Sequence, residues 1–255
     1  NLNIMIKASE KASKILIRDF GEIEKLQVSK KSQRDFVTNA DLKVEKIIIE
    51  ELEKARPNFS FISEERGQKK NRDFENTWII DPIDGTTNFL HGIPHFAISI
   101  GLLSFNEIVS ALIFDPIKDE IFFAEKNKGA FLNNQRIKVS KKKDINECLF
   151  TIGENFKKEA DFLYRKSGCA ALDLAYVAAG RYDGYFQKKL NLWDIASGKL
   201  LVQEAGGIIN DININNFKNL NIIASNSSIN QEFKKKIAQL LIVLEKSFVI
   251  SLPMK

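Results

Sequence analysis

Two cysteines, two histidines and five prolines are all that the 255 residues hold of those types. Cys148 and Cys169 give no disulfide framework, which fits a reducing cytoplasm. With His91 and His95 the only histidines, a Ser/His/Asp arrangement has little to draw on. Neither has a second histidine or a cysteine at zinc-ligand spacing, and both read as ordinary loop residues beside Gly92 and Pro94. No run of 18 apolar residues is present, which excludes a membrane-spanning helix. The start, NLNIMIKASEKAS, lacks the apolar core of a signal peptide and an initiating Met. These absences predict a cytoplasmic chain with no membrane partner.

What is present is an ordinary globular composition, 44% hydrophobic and 28% charged. The length suits one large domain or two intimately packed layers. The net charge of +5 comes mostly from lysine. The clusters Lys141–Lys143 and Lys234–Lys236 can touch nucleic acid or an acidic partner, but they lack interleaved aromatics and read as solvated faces.

The chain is organised around WIIDPIDGTTNF, Trp78 to Phe89. Trp78-Ile79-Ile80 reads as a short buried strand that Pro82 ends. Asp81 and Asp84 then stand at a strand's carboxyl end, where an open α/β sheet places its ligands. The Ile83 carbonyl between them is left free. Gly85-Thr86-Thr87 suits a helix start, with hydroxyls to cap amides and amides to hold an anion. Acids for a hard cation beside amides for an anion make a metal-plus-phosphate site.

In chain order, apolar residues from Ile4 to Phe20 recur at helical spacing, and Gly21 is expected to stop that helix. A second helix is expected from a cap at Thr38 or Asn39 through Val44, Ile48 and Leu52 to Ala55. Asp35 and Asp41 flank its entry and read, singly, as capping acids. Phe59–Ile62 is a strand ending in Ser63-Glu64-Glu65. If it neighbours the next strand, Glu64 and Asp81 converge. Residues 68 to 76 read as a polar loop. Phe96–Leu103, Glu107–Phe114, Glu120–Glu125 and Gly129–Leu132 read as an antiparallel meander.

Around 138 to 145 the chain turns polar, the best boundary between subdomains of about 1–138 and 139–255 within one domain. Beyond it a strand at Cys148–Ile152 precedes Ser167-Gly168-Cys169-Ala170-Ala171, which opens a helix ending at Gly180. Ser167 and Gly168 there can offer amides to a substrate. Tyr185-Phe186 is a short strand. Leu192 opens a further helix that Gly206-Gly207 stops. Asp194 lies in or before its first turn, where negative charge is favoured with or without a metal. Strand-like Asn221–Ala224 and a helix from about Asn230 to Leu244 complete the chain. No internal repeat is found, and the order of elements argues for a layered α/β protein.

Glu64, Asp81, Asp84 and Asp194 with the Ile83 carbonyl form an all-oxygen set, suited to Mg²⁺ or Mn²⁺ rather than zinc. A carboxylate able to bridge two ions suggests a two-metal site. Such a site can polarise a phosphate, acidify a bound water and stabilise the leaving oxygen. The Thr86 hydroxyl can orient the water. The implied reaction is in-line attack of water on a phosphate monoester, without a phosphoenzyme.

These residues resemble the inositol monophosphatase family in four places: DFVTNAD at Asp35–Asp41, SEE at Ser63–Glu65, the central stretch, and LWDIASGKLLVQEAGG at Leu192–Gly207. The resemblance covers nearly the whole chain. It implies the family's αβαβα sandwich, of the type shared with fructose-1,6-bisphosphatase, usually as a homodimer. It implies Mg²⁺-dependent, Li⁺-sensitive hydrolysis with two or three ions per site.

Carried over, Glu64, Asp81 and the Ile83 carbonyl look like ligands of the first ion, and Asp81, Asp84 and Asp194 of the second. Glu64 and Thr86 look like the pair that activates water. Gly85 and Thr86 look like the phosphate cradle. Gly168, Cys169 and Ala170 look like the wall against the substrate's hydroxyl-bearing part.

Three departures bear on substrate. Gln187 stands where Glu is usual, Cys169 where Thr or Ser is common, and the segment from Gly153 to Ser167 is short. The expected substrate is a small phosphorylated polyol or sugar, foremost inositol 1-phosphate. Fructose 1,6-bisphosphate, histidinol phosphate and 3′-phosphonucleotides are the alternatives. A second class of reading, open because of the basic pI near 9, is a partner of RNA or the transcription machinery.

Overall fold

The computed structural model describes residues 1–23, 30–156, 160–214 and 216–249. Among these residues, two mixed sheets and six α-helices stack in five layers. The first sheet holds β1 (Phe59–Ser63), β2 (Gly67–Lys69), β3 (Asp73–Asp84), β4 (Ala97–Ser104), β5 (Glu107–Asp115), β6 (Glu120–Glu125), β7 (Gly129–Leu132) and β8 (Gln135–Ile137), in the order β2-β1-β3-β4-β5-β6-β7-β8. The second holds β9 (Leu149–Ile152), β10 (Leu163–Arg165), β11 (Gly184–Leu190), β12 (Ile208–Ile209) and β13 (Leu220–Ser225), in the order β10-β9-β11-β13-β12.

Strand alternation explains the layering, because successive side chains leave a strand on opposite faces. Trp78 and Ile80 of β3 face α1 (Leu2–Ile23) and α2 (Lys30–Ala55). Ile79, between them, faces the centre of the molecule. There α4 (Ala170–Ala178) and α5 (Leu192–Glu204) lie between the two sheets. Both helices are apolar nearly all round, as a helix covered on both sides must be. Phe150, Ile152 and Phe186 of the second sheet face outward onto Phe233, Ile237 and Leu240 of α6 (Asn230–Val249). The centre is tight: Gly198 of α5 meets α4 where a Cβ would overlap the Leu174 side chain.

Several expectations are corrected. α1 runs through Gly21, which has no positive φ and so no left-handed cap to offer. α2 begins at Lys30, placing Thr38, Asn39 and Asp41 inside the helix rather than at its cap. The side chain of Asp35 lies outside the described residues. The expected polar loop at 68 to 76 holds β2 and the start of β3. Pro82 does not end β3; the strand carries on to Asp84 across a register shift against β4. β11 is seven residues long rather than the short Tyr185-Phe186 pair.

Candidate active site

β1 and β3 pair in parallel, with Ser63 opposite Ile80, and the Glu64 N–H donates to the Ile80 carbonyl at 3.3 Å. Glu64 and Asp81 therefore leave adjacent strand ends side by side. Asp81 and Asp84 would point to opposite faces of a regular strand. The register shift between them removes that constraint, and both line one cavity of about 410 Å³. The cavity opens between the first sheet's edge and the starts of α4 and α5. Its wall includes Glu64, Asp81, Ile83, Asp84, Gly85, Thr86, Gly168, Ala170, Gln187 and Asp194. Ten of the eleven site residues expected from sequence thus meet in one place, though they span 130 positions of chain.

Cys169 is the exception. It is buried behind the wall, with its thiol 3.3 Å from Asp84 Oδ2. The same oxygen accepts the Ala171 N–H in the first turn of α4, a favourable end for negative charge. Asp81 Oδ1 accepts the Ile83 N–H at 3.0 Å. Asp194 Oδ2 accepts the Asn191 N–H at 2.7 Å, so Asp194 caps α5 and lines the cavity at once.

Two local details differ from the sequence reading. The Ile83 carbonyl is not free, because the Thr86 hydroxyl donates to it at 2.9 Å. That leaves the carbonyl one lone pair. No side-chain hydroxyl caps α3 (Thr86–Leu90); its cap is Gly85, at φ 90°. A Cβ at Gly85 would press on the His95 carbonyl at 3.0 Å and Cys169 at 3.2 Å, so this tight left-handed turn requires glycine.

Electrostatically the cavity is one-sided. Burial, then the charge of Asp194, raises Glu64 to about 7. Burial, then Asp194, raises Asp84 to about 7. Burial raises Asp194 to about 6 and pushes Asp81 well above the usual carboxylate range, with Glu64 next. Among the described residues Lys166 is the one basic residue in the cavity wall, and its ammonium is bonded to Asn155 Oδ1 at 2.6 Å.

A fifth acid stands behind these four. Asp41 of α2 is buried, its Oδ1 lacks a hydrogen-bond partner among the described residues, and burial followed by Glu65 and Glu64 raises it to about 8. Reading Asp41 as a helix cap missed it. The signal was available: Ala40, Asp41, Val44, Glu45 and Ile48 form one helical stripe, so Asp41 and Glu45 interrupt an apolar face.

Among the described residues, no three acidic, histidine or cysteine side chains close on a common point as a finished ligand set. Asp84 and Asp194 are turned instead onto the backbone N–H groups of Ala171 and Asn191. The chemistry of the donors nonetheless fits a hard divalent cation. Four carboxylates and a carbonyl share one cavity and repel one another, and the described residues offer a single lysine at the wall in compensation.

Comparison with known proteins identifies the family. Residues 2–242 match the inositol monophosphatase family. An inositol-1-monophosphatase of Rhizobium meliloti is 48% identical over 221 residues, covering 81% of this chain and 83% of its own. A Nus factor SuhB of Xylella fastidiosa is 40% identical over 225 residues, covering 82% of this chain and 81% of its own. The crystal structure of an extragenic suppressor protein suhB from Bartonella henselae superposes with a TM-score of 0.82 at 41% identity, covering 93% of this chain and 98% of that one.

Proposed function

The chain belongs to the inositol monophosphatase family and is a phosphoric monoester hydrolase, and on that premise we propose that it hydrolyses inositol 1-phosphate with Mg²⁺. The observation that carries this reading is the cluster of four carboxylates facing one cavity, Asp81 buried, Asp84 and Asp194 half-buried and Glu64 exposed at its mouth. Glu64, Asp81 and the Ile83 carbonyl would hold one ion, and Asp81, Asp84 and Asp194 a second. Bound there, Mg²⁺ supplies charge to neutralise the phosphate and its leaving oxygen, and Mn²⁺ has the same oxygen preference.

The chain's own residues divide the remaining work. Glu64 accepts the proton of the attacking water, and Thr86 helps orient that water. Backbone N–H groups at Gly85 and Thr86 cradle the phosphate. The Gly168–Ala170 turn and Gln187 face the organic part. Water attacks phosphorus directly, and among the described residues no cysteine or histidine lines the cavity to form a phosphoenzyme. The working unit is proposed to be a cytoplasmic homodimer, and Li⁺ is expected to inhibit it.

The test is release of inorganic phosphate from inositol 1-phosphate in Mg²⁺, its loss in Asp81→Asn and its suppression by Li⁺. Absence of release from inositol, sugar, nucleotide and histidinol phosphates alike would sink the reading. A second role is favoured by one observation, the 40% identity to a protein named a Nus factor. With a pI near 9.0, the chain would then bind RNA or the transcription machinery through its basic surface. Salt-dependent RNA retention by wild type, lost on reversing Lys141–Lys143 to Glu, tests that role.

A further inference from the structure

Tyr185 and Gln187 lie two residues apart on β11, on one face of the strand. Tyr185 is fully buried, and its hydroxyl donates to Gln187 Oε1 at 2.7 Å. Among the described residues no other acceptor meets that hydroxyl. Turning the amide over would set an N–H₂ against a buried O–H and orphan its proton, a cost that fixes the observed orientation. Gly153 is part of the same device, because a Cβ there would overlap the Gln187 amide.

With Oε1 committed to Tyr185, the amide nitrogen of Gln187, itself a residue of the cavity wall, is the group left for a ligand. That nitrogen carries two donors, and no protein acceptor meets it among the described residues. A glutamate in its place would offer acceptors only. Lys166, on the same wall, adds an ammonium. The cavity is thus acceptor-rich at its acidic end and donor-rich where the organic part of a substrate would sit. A neutral hydroxyl can serve either polarity by turning its proton. An oxyanion can only accept.

The geometry points to Gln187, set by Tyr185 and assisted by Lys166, as a receptor for an oxyanion on the organic part of the substrate: a second phosphate or a carboxylate. This rests on the phosphate-hydrolase reading above. Gln187 and Lys166 act here as specificity residues, and Tyr185 as a positioning residue that never meets substrate.

The experiment compares kcat/KM in Mg²⁺ for inositol 1-phosphate, fructose 1,6-bisphosphate and 6-phosphogluconate, in wild type and in Gln187→Glu, Lys166→Gln and Tyr185→Phe. Wild type should turn over at least one of the two anionic probes at a rate comparable to or above the neutral one. Gln187→Glu should lower kcat/KM for that probe relative to inositol 1-phosphate by about tenfold or more, because like charges then meet at the contact. Lys166→Gln should lower the same ratio by a few-fold, since its ammonium is solvated. Tyr185→Phe should also lower the ratio, which a purely structural loss would leave unchanged. Response of the bisphosphate alone identifies a second phosphate, and response of both probes a general oxyanion site.

An unchanged ratio in Gln187→Glu overturns the proposal, as does a wild type that rejects both anionic probes while hydrolysing inositol 1-phosphate. If wild type hydrolyses none of the three, the hydrolase reading has failed instead. The same ratio is then read from calorimetric affinities for the three phosphates, with the same two outcomes.

Discussion

Asp115 and Asp183 are buried as deeply as Asp81, yet the two settings have little else in common. Asp115 receives the Lys118 ammonium at 2.6 Å and two backbone N–H groups at 3.0 Å. Asp183 receives Lys142 at 2.9 Å and the Leu149 N–H at 2.7 Å. Asp81 receives one N–H, from Ile83, and its charged neighbours are Glu64, Asp84, Asp194 and Asp41. Burial is the same; the source of compensating charge is not. The first pair is neutralised by the chain itself and holds loops together. The second set is left for something from solution to neutralise, at a standing cost in stability.

The widest separation of the two settings should come from Asp81→Asn. Phosphate release should fall on the order of a thousandfold or more, since the residue both ions would share is lost. Its melting temperature in chelator should rise above wild type, because one member of a repelling set is gone. A variant that melts lower in chelator and keeps turnover would place Asp81 with Asp115 and Asp183.

Asp194→Asn comes next. Activity should fall by roughly a hundredfold, while stability changes by no more than about 1 kcal/mol, because Asn also accepts at a helix start. Full turnover with a clear melting loss would reduce Asp194 to a cap.

Asp183→Asn should give the opposite profile. Denaturant unfolding should show a loss of about 1–2 kcal/mol as the Lys142 pair is broken, with turnover per folded molecule unchanged.

The last contrast is a pH slope. Glu64 and Asp84 stand at about 7 in the fold against ordinary values of 4.5 and 3.8. Between those values the folded chain binds more protons than the unfolded one, so its stability falls as pH rises from about 4 to about 7. Thermal melts in chelator should show that fall. Mg²⁺ should restore more stability at pH 8 than at pH 5, as binding to ionised carboxylates requires. Equal Mg²⁺ stabilisation at both pH values would argue against ionised ligands.

Much of the site could be read from local signals. Trp78–Phe89 carries a buried strand, two acids and a glycine turn in twelve residues, and each has a recognisable signature. The convergence of Glu64 needed only one assumption, that the strands ending at Ser63 and Asp81 are neighbours, and their parallel pairing supplies it.

What escaped was decided by tertiary context. Gly21 carries the composition of a stop, but a glycine can equally adopt helical angles, and α1 continues through it. Pro82 reads as a strand end, whereas β4 pairs with β3 on both sides of it. Asp41 looked like a cap because the start of α2 was set eight or nine residues late; its role emerges only when β1 and β3 bring Glu64 and Asp81 beneath that helix. The orientation of Gln187 depends on a tyrosine whose burial no local pattern announces.

Gly198 has a consequence that reaches beyond packing. It lets α5 approach Leu174 of α4 more closely than any side chain would permit. Those two helices carry the Ala171 amide that steadies Asp84 and the first turn that presents Asp194. A hydrogen atom at position 198 therefore acts as the gauge block of the candidate site. The spacing is kept by a residue outside the cavity wall, and a single added methyl would shift both helix starts while leaving every side chain of the wall in place.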